Sequence, residues 1–230
     1  MRSRAAFTGL SLALVLAACT AEATPSPAPA CPNAPPTSVS AQATLEGAEL
    51  ATVQVSGEVE GEFAFELYGD QAPLATANFV ALARCGFYDG IKFHRVLAGF
   101  VIQAGDPNTR AHDGDFDGIS QGGPGYRFEI ERPAEGLTYR QYAVAMANAA
   151  PRVPDSNGSQ FFVTLADLDD ALRATGVYTI FGQVVSGTDT IDAIAAVPVT
   201  DPQVGVPAAP VVIESIVISG ASGADPSAGE

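Results

Sequence analysis

The chain has 230 residues, 47% of them hydrophobic and 16% charged, and its 26 acidic and 11 basic side chains give a formal net charge of −15. This charge argues against a nucleic-acid partner, because a protein that binds a phosphate backbone needs a basic face. The hydrophobic fraction excludes a disordered chain, and the length suits one sizeable domain. The three cysteines are too few for a disulfide scaffold and show no spacing typical of zinc, so neither a metal nor a cofactor is predicted.

The N-terminal segment has the pattern of an export signal. Arg2 and Arg4 precede an apolar run of the length of a signal peptide, and this run ends in the letters LAAC at 16–19. These letters resemble the lipobox of bacterial lipoproteins. The resemblance implies that residues 1–18 are a cleaved signal peptide and that Cys19 is lipidated, which would attach the protein to the cell membrane from outside the cytoplasm. The alternative is an ordinary secretory signal in which Cys19 has no role.

The composition divides the rest of the chain into three parts. Residues 19–43 are rich in Pro and Ala without hydrophobic periodicity, which predicts an extended tether. Residues 44–220 are predicted to form the folded domain, and residues 221–230 a flexible tail. Loss of the signal peptide removes two arginines and no acid, so the formal charge of the remainder changes from −15 to −17. The acidity therefore belongs to the exported part.

Two cysteines remain beyond the lipidation site. Cys31 lies in the predicted tether and Cys85 at the end of a predicted helix. Export removes the reductants that keep cytosolic thiols apart, so a disulfide between them is one interpretation. The other is that Cys85 is a small buried apolar residue.

The folded part predicts short strands separated by turns, with two helices. Alternation at 51–56 and 62–67 predicts a hairpin, and the helical spacing of 73–84 predicts a first helix that ends at Gly86. The remaining predicted elements are strands at 91–95, 99–104, 126–130, 143–147, 160–164 and 178–184, a second helix at 188–196 and a last strand at 211–218. About eight strands without strand-helix-strand alternation predict an antiparallel barrel or sandwich.

Polar side chains interrupt two of the apolar strands. Arg95 and Gln103 lie in the segment FHRVLAGFVIQAGD at 93–106, and Gln160 lies in NGSQFFV at 157–163. A buried arginine is rare unless a partner satisfies it. These segments are therefore candidates for a functional site.

Five blocks of sequence, FHRVLAGFVIQAGDP, GGPGYRFE, MANA, NGSQFFVT and YTIFGQVVSG, resemble in this order the cyclophilin family of peptidyl-prolyl cis-trans isomerases. The resemblance covers nearly all of residues 50–220. It implies a closed eight-stranded antiparallel β-barrel capped by two α-helices, and an enzyme that isomerises X-Pro bonds in exported proteins without a cofactor. The alternative is a non-catalytic module of the cell envelope that binds proline-containing segments, or a chaperone.

The resemblance also assigns residues to roles. Arg95 matches the catalytic arginine of the family, which would donate to the twisted prolyl nitrogen, and Gln103 would orient its guanidinium. His94 would border the substrate groove. The other residues that would contact substrate are Phe100, Gln103, Ala147, Asn148, Ala149, Gln160, Phe162, Tyr178 and Leu172. The implied partners are proline-containing polypeptides, with membrane contact only through the lipid and the protein itself a monomer.

Three features depart from the family pattern. The chain has no Trp, and Ala171 or Leu172 stands near the position of the groove-edge tryptophan, which implies weak cyclosporin binding. Residues 166–177, which contain both of these positions, carry an insertion. The turn AAPRVPDSNG after Asn148 is slightly longer than the common pattern and carries Arg152 and Asp155, which implies an altered substrate preference. The enlarged loop between Gly105 and Gly122 contains DGDFDG at 113–118, which matches the start of a calcium loop but lacks its closing Glu, so a solvated acidic loop is the favoured interpretation.

Overall fold

The computed structural model describes residues 28–111, 121–148, 150 and 152–220. Within these ranges it contains ten strands, four α-helices and a 3-10 helix. The strands are β1 (Leu50–Gly57), β2 (Gly61–Leu67), β3 (Arg95–Leu97), β4 (Val101–Ala104), β5 (Phe128–Glu129), β6 (Ala143–Met146), β7 (Asp155–Asn157), β8 (Phe161–Thr164), β9 (Ile180–Ser186) and β10 (Val211–Ser219). The helices are α1 (Ser38–Leu45), α2 (Pro73–Arg84), α3 (Asp169–Thr175) and α4 (Thr188–Ala195), and the 3-10 helix is Pro107–Ala111.

Eight strands form one antiparallel sheet in the order β10-β1-β2-β9-β6-β8-β4-β3, and β5 pairs separately with β7. The chain just before β3 bonds to the opposite end of this sheet. The Gly90 N–H donates to the Ile213 carbonyl at 2.8 Å, and the Phe93 N–H donates to the Val211 carbonyl at 2.9 Å. The sheet is therefore curled so that its two ends approach each other. The predicted eight-stranded antiparallel sheet is confirmed, whereas closure into a complete barrel stays a prediction.

The prediction of two helices is wrong, because the described residues contain four. Helices α2 and α4 lie where the apolar spacing indicates them. Helix α3 falls in the segment 166–177 that the sequence indicates only as an insertion, and its seven residues are too few to show a clear period. Helix α1 has the sequence SVSAQATL, in which apolar and polar residues are mixed without an apolar stripe, so its sequence carries little helical signal.

Helix α2 is capped by a side chain that lies far away in the sequence. The Glu131 carboxylate accepts the Leu74 N–H at 2.9 Å and the Ala75 N–H at 2.8 Å. The helix lacks a side-chain cap of its own, so Glu131 satisfies two of its free N–H groups and places a negative charge at the positive end of the helix dipole. This contact fixes the segment after β5 against α2.

The interior of the curled sheet holds an aromatic cluster around Phe79 of α2. The Phe79 ring lies 5.1 Å from the Tyr88 ring, 5.6 Å from the Phe161 ring and 5.2 Å from the Phe181 ring, measured between centroids. All four side chains are fully buried. Edge and tilted ring contacts of this kind add to the free energy of burial, so the helix is held in one orientation over the sheet.

Three central strands are buried on both faces. Every residue of β4, β6 and β8 is buried, in contrast to β1 and β10, where buried and exposed positions alternate over much of the strand. Their inner residues join the main core, whereas their outer residues form a second cluster with α3. The members of this second cluster are Val101, Tyr139, Ala145, Phe162, Leu168, Leu172 and Ile180. Helix α3 thus covers one end of the outer face of the sheet, and a recess lies beside the helix.

The predicted boundary of the tether at residue 43 is wrong. Helix α1 starts at Ser38 and packs beside α2. A capping box begins it, in which the Thr37 hydroxyl accepts the Ser40 N–H at 3.2 Å and the Ser40 hydroxyl accepts the Thr37 N–H at 2.8 Å. At its other end the Arg84 guanidinium donates to the Thr44 carbonyl at 2.6 Å. Capping and this long-range contact order a segment whose composition indicates an extended chain.

Cys31 and Cys85 form a disulfide, with their Cα atoms 5.1 Å apart. Of the two interpretations left open by the sequence, the structure contains the bonded one. The bond joins the segment before α1 to the end of α2, so the folded unit includes residues from Cys31 onward. Cys31 is exposed and Cys85 is half-buried, and the bond is therefore accessible to reductants.

The predicted signal peptide, the lipidation site Cys19, the acidic loop at 113–118 and the tail at 221–230 lie outside the described residues. None of the helices that the structure describes is long and apolar enough to cross a membrane.

Reduction of the disulfide is expected to destabilise the fold. The bond closes a loop across a sequence separation of 54 residues, and the chain-entropy relation for such a loop gives a loss of about 4 kcal/mol in the free energy of unfolding. Urea titrations with and without reductant measure this loss. The variant Cys31→Ser should show the lower stability under both conditions, and an unfolding midpoint of the wild type that does not respond to reductant would contradict the prediction.

Candidate functional site

One row of side chains crosses the outer face of the sheet. In the strand register Arg95 lies opposite Gln103, Gln103 opposite Phe162, and Phe162 opposite Ala145. Residues that face each other across antiparallel strands project from the same face, and neighbouring strands lie about 5 Å apart. Arg95 and Phe162 are two strands apart, so a recess about 10 Å wide separates them, with Gln103 at its base.

This recess is a groove of about 240 Å³, called the sheet groove below. It is lined by Arg95, Phe100, Val101, Gln103, Gly122, Arg127, Ala147, Asn148, Gly158, Ser159, Gln160, Phe162, Leu172 and Tyr178. Nine of the predicted site residues are in this set, and they come from six separate segments of the chain. Ala149 lies outside the described residues.

The prediction that His94 borders the groove is wrong. Its side chain is only 2% exposed and does not line the cavity. Strand alternation explains this position, because His94 precedes Arg95 and therefore projects toward the opposite face of the sheet. Neither ring nitrogen of His94 has a well-aligned hydrogen-bond partner among the described residues, although the Lys92 backbone lies close to the ring. Burial lowers the pKa of His94 to about 4, and the negative charge of Asp106 and the Lys92 backbone oppose this effect only in part.

The Arg95 guanidinium is half-buried at one end of the groove. Its central carbon lies 5.8 Å from the centroid of the Phe100 ring, a cation-π distance. Within the described part of the chain Arg95 has no hydrogen bond or ion pair, so all five of its N–H donors remain available. Burial lowers the pKa of Arg95, and the Tyr178 hydroxyl opposes this shift. The site therefore holds an unpaired donor in a partly desolvated position.

A network of amides forms one wall of the groove. The Gln103 side-chain amide donates to the Gln160 Oε1 at 3.0 Å, and the Gln160 amide donates to the Gly122 carbonyl at 3.0 Å and to the Asp106 carboxylate at 3.3 Å. The Asp106 carboxylate also accepts the Asn108 N–H at 2.9 Å and the Gly122 N–H at 3.1 Å. Gln103 thus bonds to Gln160, and among the described contacts none supports its predicted orientation of Arg95.

Asp106 and Gly122 depend on each other sterically. A Cβ atom at residue 122 would overlap the Asp106 carboxylate, so only glycine allows this close approach. Asp106 is fully buried, and its several hydrogen bonds compensate for the desolvation of its charge. The carboxylate therefore anchors the rim of the groove to the sheet.

Aromatic side chains form the opposite wall. The Tyr139 hydroxyl donates to the Tyr178 carbonyl at 2.8 Å and accepts the Tyr178 N–H at 3.0 Å, which fixes the backbone of Tyr178. The Tyr178 ring packs edge-on against Phe162, with centroids 5.5 Å apart. Leu172 of α3 is buried in the same cluster. Together these residues make an apolar pocket beside Arg95.

Asn148 lies at the end of the groove with an unused acceptor. Its amide nitrogen donates to the Asn157 Oδ1 at 3.4 Å, whereas its Oδ1 is buried without a partner in the described residues. The neighbouring Ala147 N–H donates to the Gln160 carbonyl at 2.9 Å. A buried acceptor without a partner is costly, and a ligand N–H would satisfy it.

The structure also identifies groove residues that the sequence alone does not single out. These are Val101, Gly122, Arg127, Gly158 and Ser159. Gly158 and Ser159 lie inside the block that carries Gln160, so that block could have indicated them. Gly122 and Arg127 lie in the block GGPGYRFE and Val101 lies in FHRVLAGFVIQAGDP, so these blocks could have indicated them as well. Among the described residues no cluster of His, Cys, Asp or Glu is suited to hold a metal ion.

Comparison with known proteins agrees with this geometry. The family profile "Cyclophilin type peptidyl-prolyl cis-trans isomerase/CLD" matches residues 50–218. Peptidyl-prolyl cis-trans isomerase B of Streptomyces anulatus is 41% identical over 176 residues, which cover 69% of this chain and 91% of that protein. Peptidyl-prolyl cis-trans isomerase A of Mycobacterium tuberculosis is 39% identical, and the match covers 69% of this chain and 87% of that protein.

Solved structures show the same fold. A cyclophilin-type peptidyl-prolyl cis-trans isomerase of Cryptosporidium parvum, crystallised in the presence of the dipeptide Ala-Pro, superposes with a TM-score of 0.62 at 32% identity. The match covers 74% of this chain and 98% of that one. The chain belongs to the family of cyclophilin-type peptidyl-prolyl cis-trans isomerases.

The burial of His94 predicts that the protein is sensitive to acid. The pKa of His94 in the folded state is about 4 against an ordinary value of 6.5, so between these pH values the unfolded chain binds a proton that the folded protein excludes. The free energy of unfolding should therefore fall by about 3 kcal/mol as the pH drops from 6.5 to 4. Below pH 4 the contribution of His94 to the free energy of unfolding should change no further. Urea unfolding across this range measures the effect.

The variant His94→Leu is the control, because it has no group at this position that titrates. Its unfolding free energy should lose about 3 kcal/mol less than that of the wild type over the same range. Parallel pH profiles of the two proteins would show that His94 does not titrate as its burial requires.

Proposed function

We propose that this chain catalyses cis-trans isomerisation of X-Pro bonds in the sheet groove, with Arg95 as the catalytic residue. The observation that carries the proposal is the unpaired Arg95 guanidinium, which lies at the edge of an apolar pocket formed by Phe100, Phe162, Leu172 and Tyr178. The family membership of the chain and the Ala-Pro dipeptide present with the Cryptosporidium parvum relative support the same substrate class.

The reaction requires no bond to break. Rotation about a peptide bond loses amide resonance, a barrier of about 18 to 20 kcal/mol, while the two end states of an X-Pro bond differ by only about 0.5 to 1 kcal/mol. At the twisted transition state the prolyl nitrogen regains a lone pair. An N–H donor aimed at this lone pair binds the twisted form better than either planar form, and such differential binding lowers the barrier.

Arg95 fits this role because its donors are both charged and free. Its half-buried position removes part of the surrounding water, so a hydrogen bond to the prolyl nitrogen is stronger there than at an open surface. Contact with the Phe100 ring orients the guanidinium in place of the predicted contact with Gln103. The chain thus needs no second polar group to hold the arginine.

Different walls of the pocket contact different parts of the substrate. Phe162 and Phe100 offer apolar surface to the proline ring, and Leu172 takes part of the space near the position at which the family resemblance places a tryptophan. The unpartnered Oδ1 of Asn148 accepts an N–H from the substrate backbone. The amide wall of Gln103 and Gln160 stays fixed by Asp106, so the carbonyl side of the bond can turn while the ring stays in place.

Replacement of Arg95 tests the mechanism. Arg95→Ala should lower kcat/KM on a short proline peptide by about 10² to 10³-fold, the usual effect of removing a transition-state donor. Arg95→Lys keeps the charge without the planar fork and should recover only part of the rate. NMR exchange spectroscopy measures the isomerisation rate, and thermal unfolding should show little change because Arg95 has no hydrogen bond in the described structure.

The matched control is Arg140→Gln, because Arg140 is exposed, bonds to Gln183 and lies outside the sheet groove. It should isomerise the peptide at the wild-type rate. A near-normal rate in Arg95→Ala would reject the mechanism. A wild type that binds proline peptides without accelerating exchange would instead identify a binding module.

We also propose that the enzyme acts on exported proteins while attached to the outer side of the cell membrane by a lipidated Cys19. The LAAC sequence at 16–19 supports the lipid anchor, and the Cys31–Cys85 disulfide is typical of proteins that fold outside the reducing cytosol. A lipid chain attaches an acidic protein without any basic patch. The isomerase would then act where proline isomerisation, at tens of seconds or more, limits folding.

The anchor is tested by expressing the full chain in a bacterium that processes lipoproteins. The wild type should appear in the membrane fraction with a diacylglyceryl group on an N-terminal Cys19, as read by intact mass. Cys19→Ser should move the protein to the soluble fraction. Cys31→Ser, which also removes one thiol, should stay with the membrane, and a soluble, unmodified wild type would overturn the anchor.

A further inference from the structure

A second groove lies on the other side of helix α3. It has a volume of about 450 Å³, and the side chains of Arg132, Arg152 and Arg173 line it over a base that includes Ile130 and Val153. We call it the arginine groove. It carries no part of the mechanism described above.

The arginine groove concentrates positive charge on an acidic protein. The chain carries 11 basic and 26 acidic side chains. Three of those basic residues line the arginine groove, and two more, Arg95 and Arg127, line the sheet groove. Nearly half of the basic residues are thus gathered around two adjoining recesses. Such a distribution attracts anionic groups to this side of the molecule and repels them elsewhere.

The three arginines are held to different degrees. Arg173 pairs with Asp169 at 2.8 Å and donates to the Leu137 carbonyl at 2.9 Å, so its charge is partly neutralised. Arg152 donates to the Ala174 carbonyl at 3.2 Å, which anchors it to the end of α3 without neutralising its charge. Arg132 has no hydrogen bond or ion pair within the described residues. Arg132 and Arg152 therefore keep free donors for a carboxylate.

The two grooves lie on different faces of α3. Leu172 lines the sheet groove and the next residue, Arg173, lines the arginine groove. The same relation holds for Tyr178 and Val177 after the helix. Successive helical residues point about 100° apart, so α3 presents one face to each recess. A peptide bound in the sheet groove that runs past α3 on this side would therefore reach the arginines.

We propose that the arginine groove binds Asp or Glu side chains of the client polypeptide, so that the enzyme prefers proline segments with an acidic residue a few positions from the proline. The proposal rests on the isomerase function proposed above and adds a substrate preference to it. An arginine fork matches a carboxylate in a bidentate geometry, and charge complementarity sets specificity and the rate of encounter. Because the three side chains are exposed, the preference is moderate and weakens with salt.

The test compares peptides that share one Ala-Pro core and differ only in a Glu or Gln placed one to five residues before or after the proline. At low salt at least one Glu position should raise kcat/KM, measured by NMR exchange, about three- to tenfold over its Gln counterpart. In Arg132→Gln, and more fully in the double variant Arg132→Gln and Arg152→Gln, this ratio should fall toward one. Arg140→Gln, which removes an exposed arginine outside both grooves, should keep the wild-type ratio.

Binding of the same peptides, labelled with a fluorophore and followed by anisotropy, separates this proposal from the isomerase function. Absence of turnover on every peptide would overturn the isomerase, while a Glu preference in binding that Arg132→Gln removes would still support the arginine groove. Equal kcat/KM and equal affinity for Glu and Gln peptides would overturn the groove and leave the isomerase intact. Loss of binding to phosphatidylglycerol vesicles in Arg132→Gln, without any peptide preference in the wild type, would also overturn it in favour of a lipid headgroup.

Discussion

The site depends on one constraint, which is that the strands β4, β6 and β8 are buried on both faces, with the half-buried β3 beside them. Their inner residues join the core inside the curled sheet, and their outer residues either pack under α3 or line the groove. Side chains alternate along a strand, so each core residue fixes the direction of its neighbours. Val96 is buried in the core, so its neighbour Arg95 projects from the outer face. In the same way, the buried Ile102 directs Gln103 to the outer face. The packing of the core therefore positions the side chains of the candidate site.

Polar groups in such a position must form hydrogen bonds, either within the protein or with a ligand. Gln103 and Gln160 satisfy each other and are anchored by Asp106. By contrast, Arg95 keeps its donors free, and Asn148 keeps a buried acceptor without a partner in the described structure. These unsatisfied groups lie in one recess beside apolar walls. A ligand with a carbonyl, an N–H and a small ring would form hydrogen bonds with them and fill the apolar space. The groove combines rigid walls with a few groups held ready for the substrate.

Further elements of the fold lie around this site. Helix α3 brings Leu172 to one recess and Arg173 to another. The disulfide and α1 extend the folded unit toward the N-terminus and shorten the predicted tether. Helix α3, which faces both recesses, carries the proposed substrate preference, and the disulfide supports the proposed export of the protein.

The sequence by itself determined the antiparallel sheet, helices α2 and α4 and nine groove residues, because strand and helix periods and the family blocks are local signals. It did not determine helices α1 and α3, because both are short and show no clear apolar period. A capping box begins α1, and α3 is held by the packing of Leu172 in the second cluster. It also misplaced His94, since adjacency in sequence to Arg95 means opposite faces in a strand. Only the tertiary structure joined Cys31 to Cys85, because this contact links segments far apart in the chain.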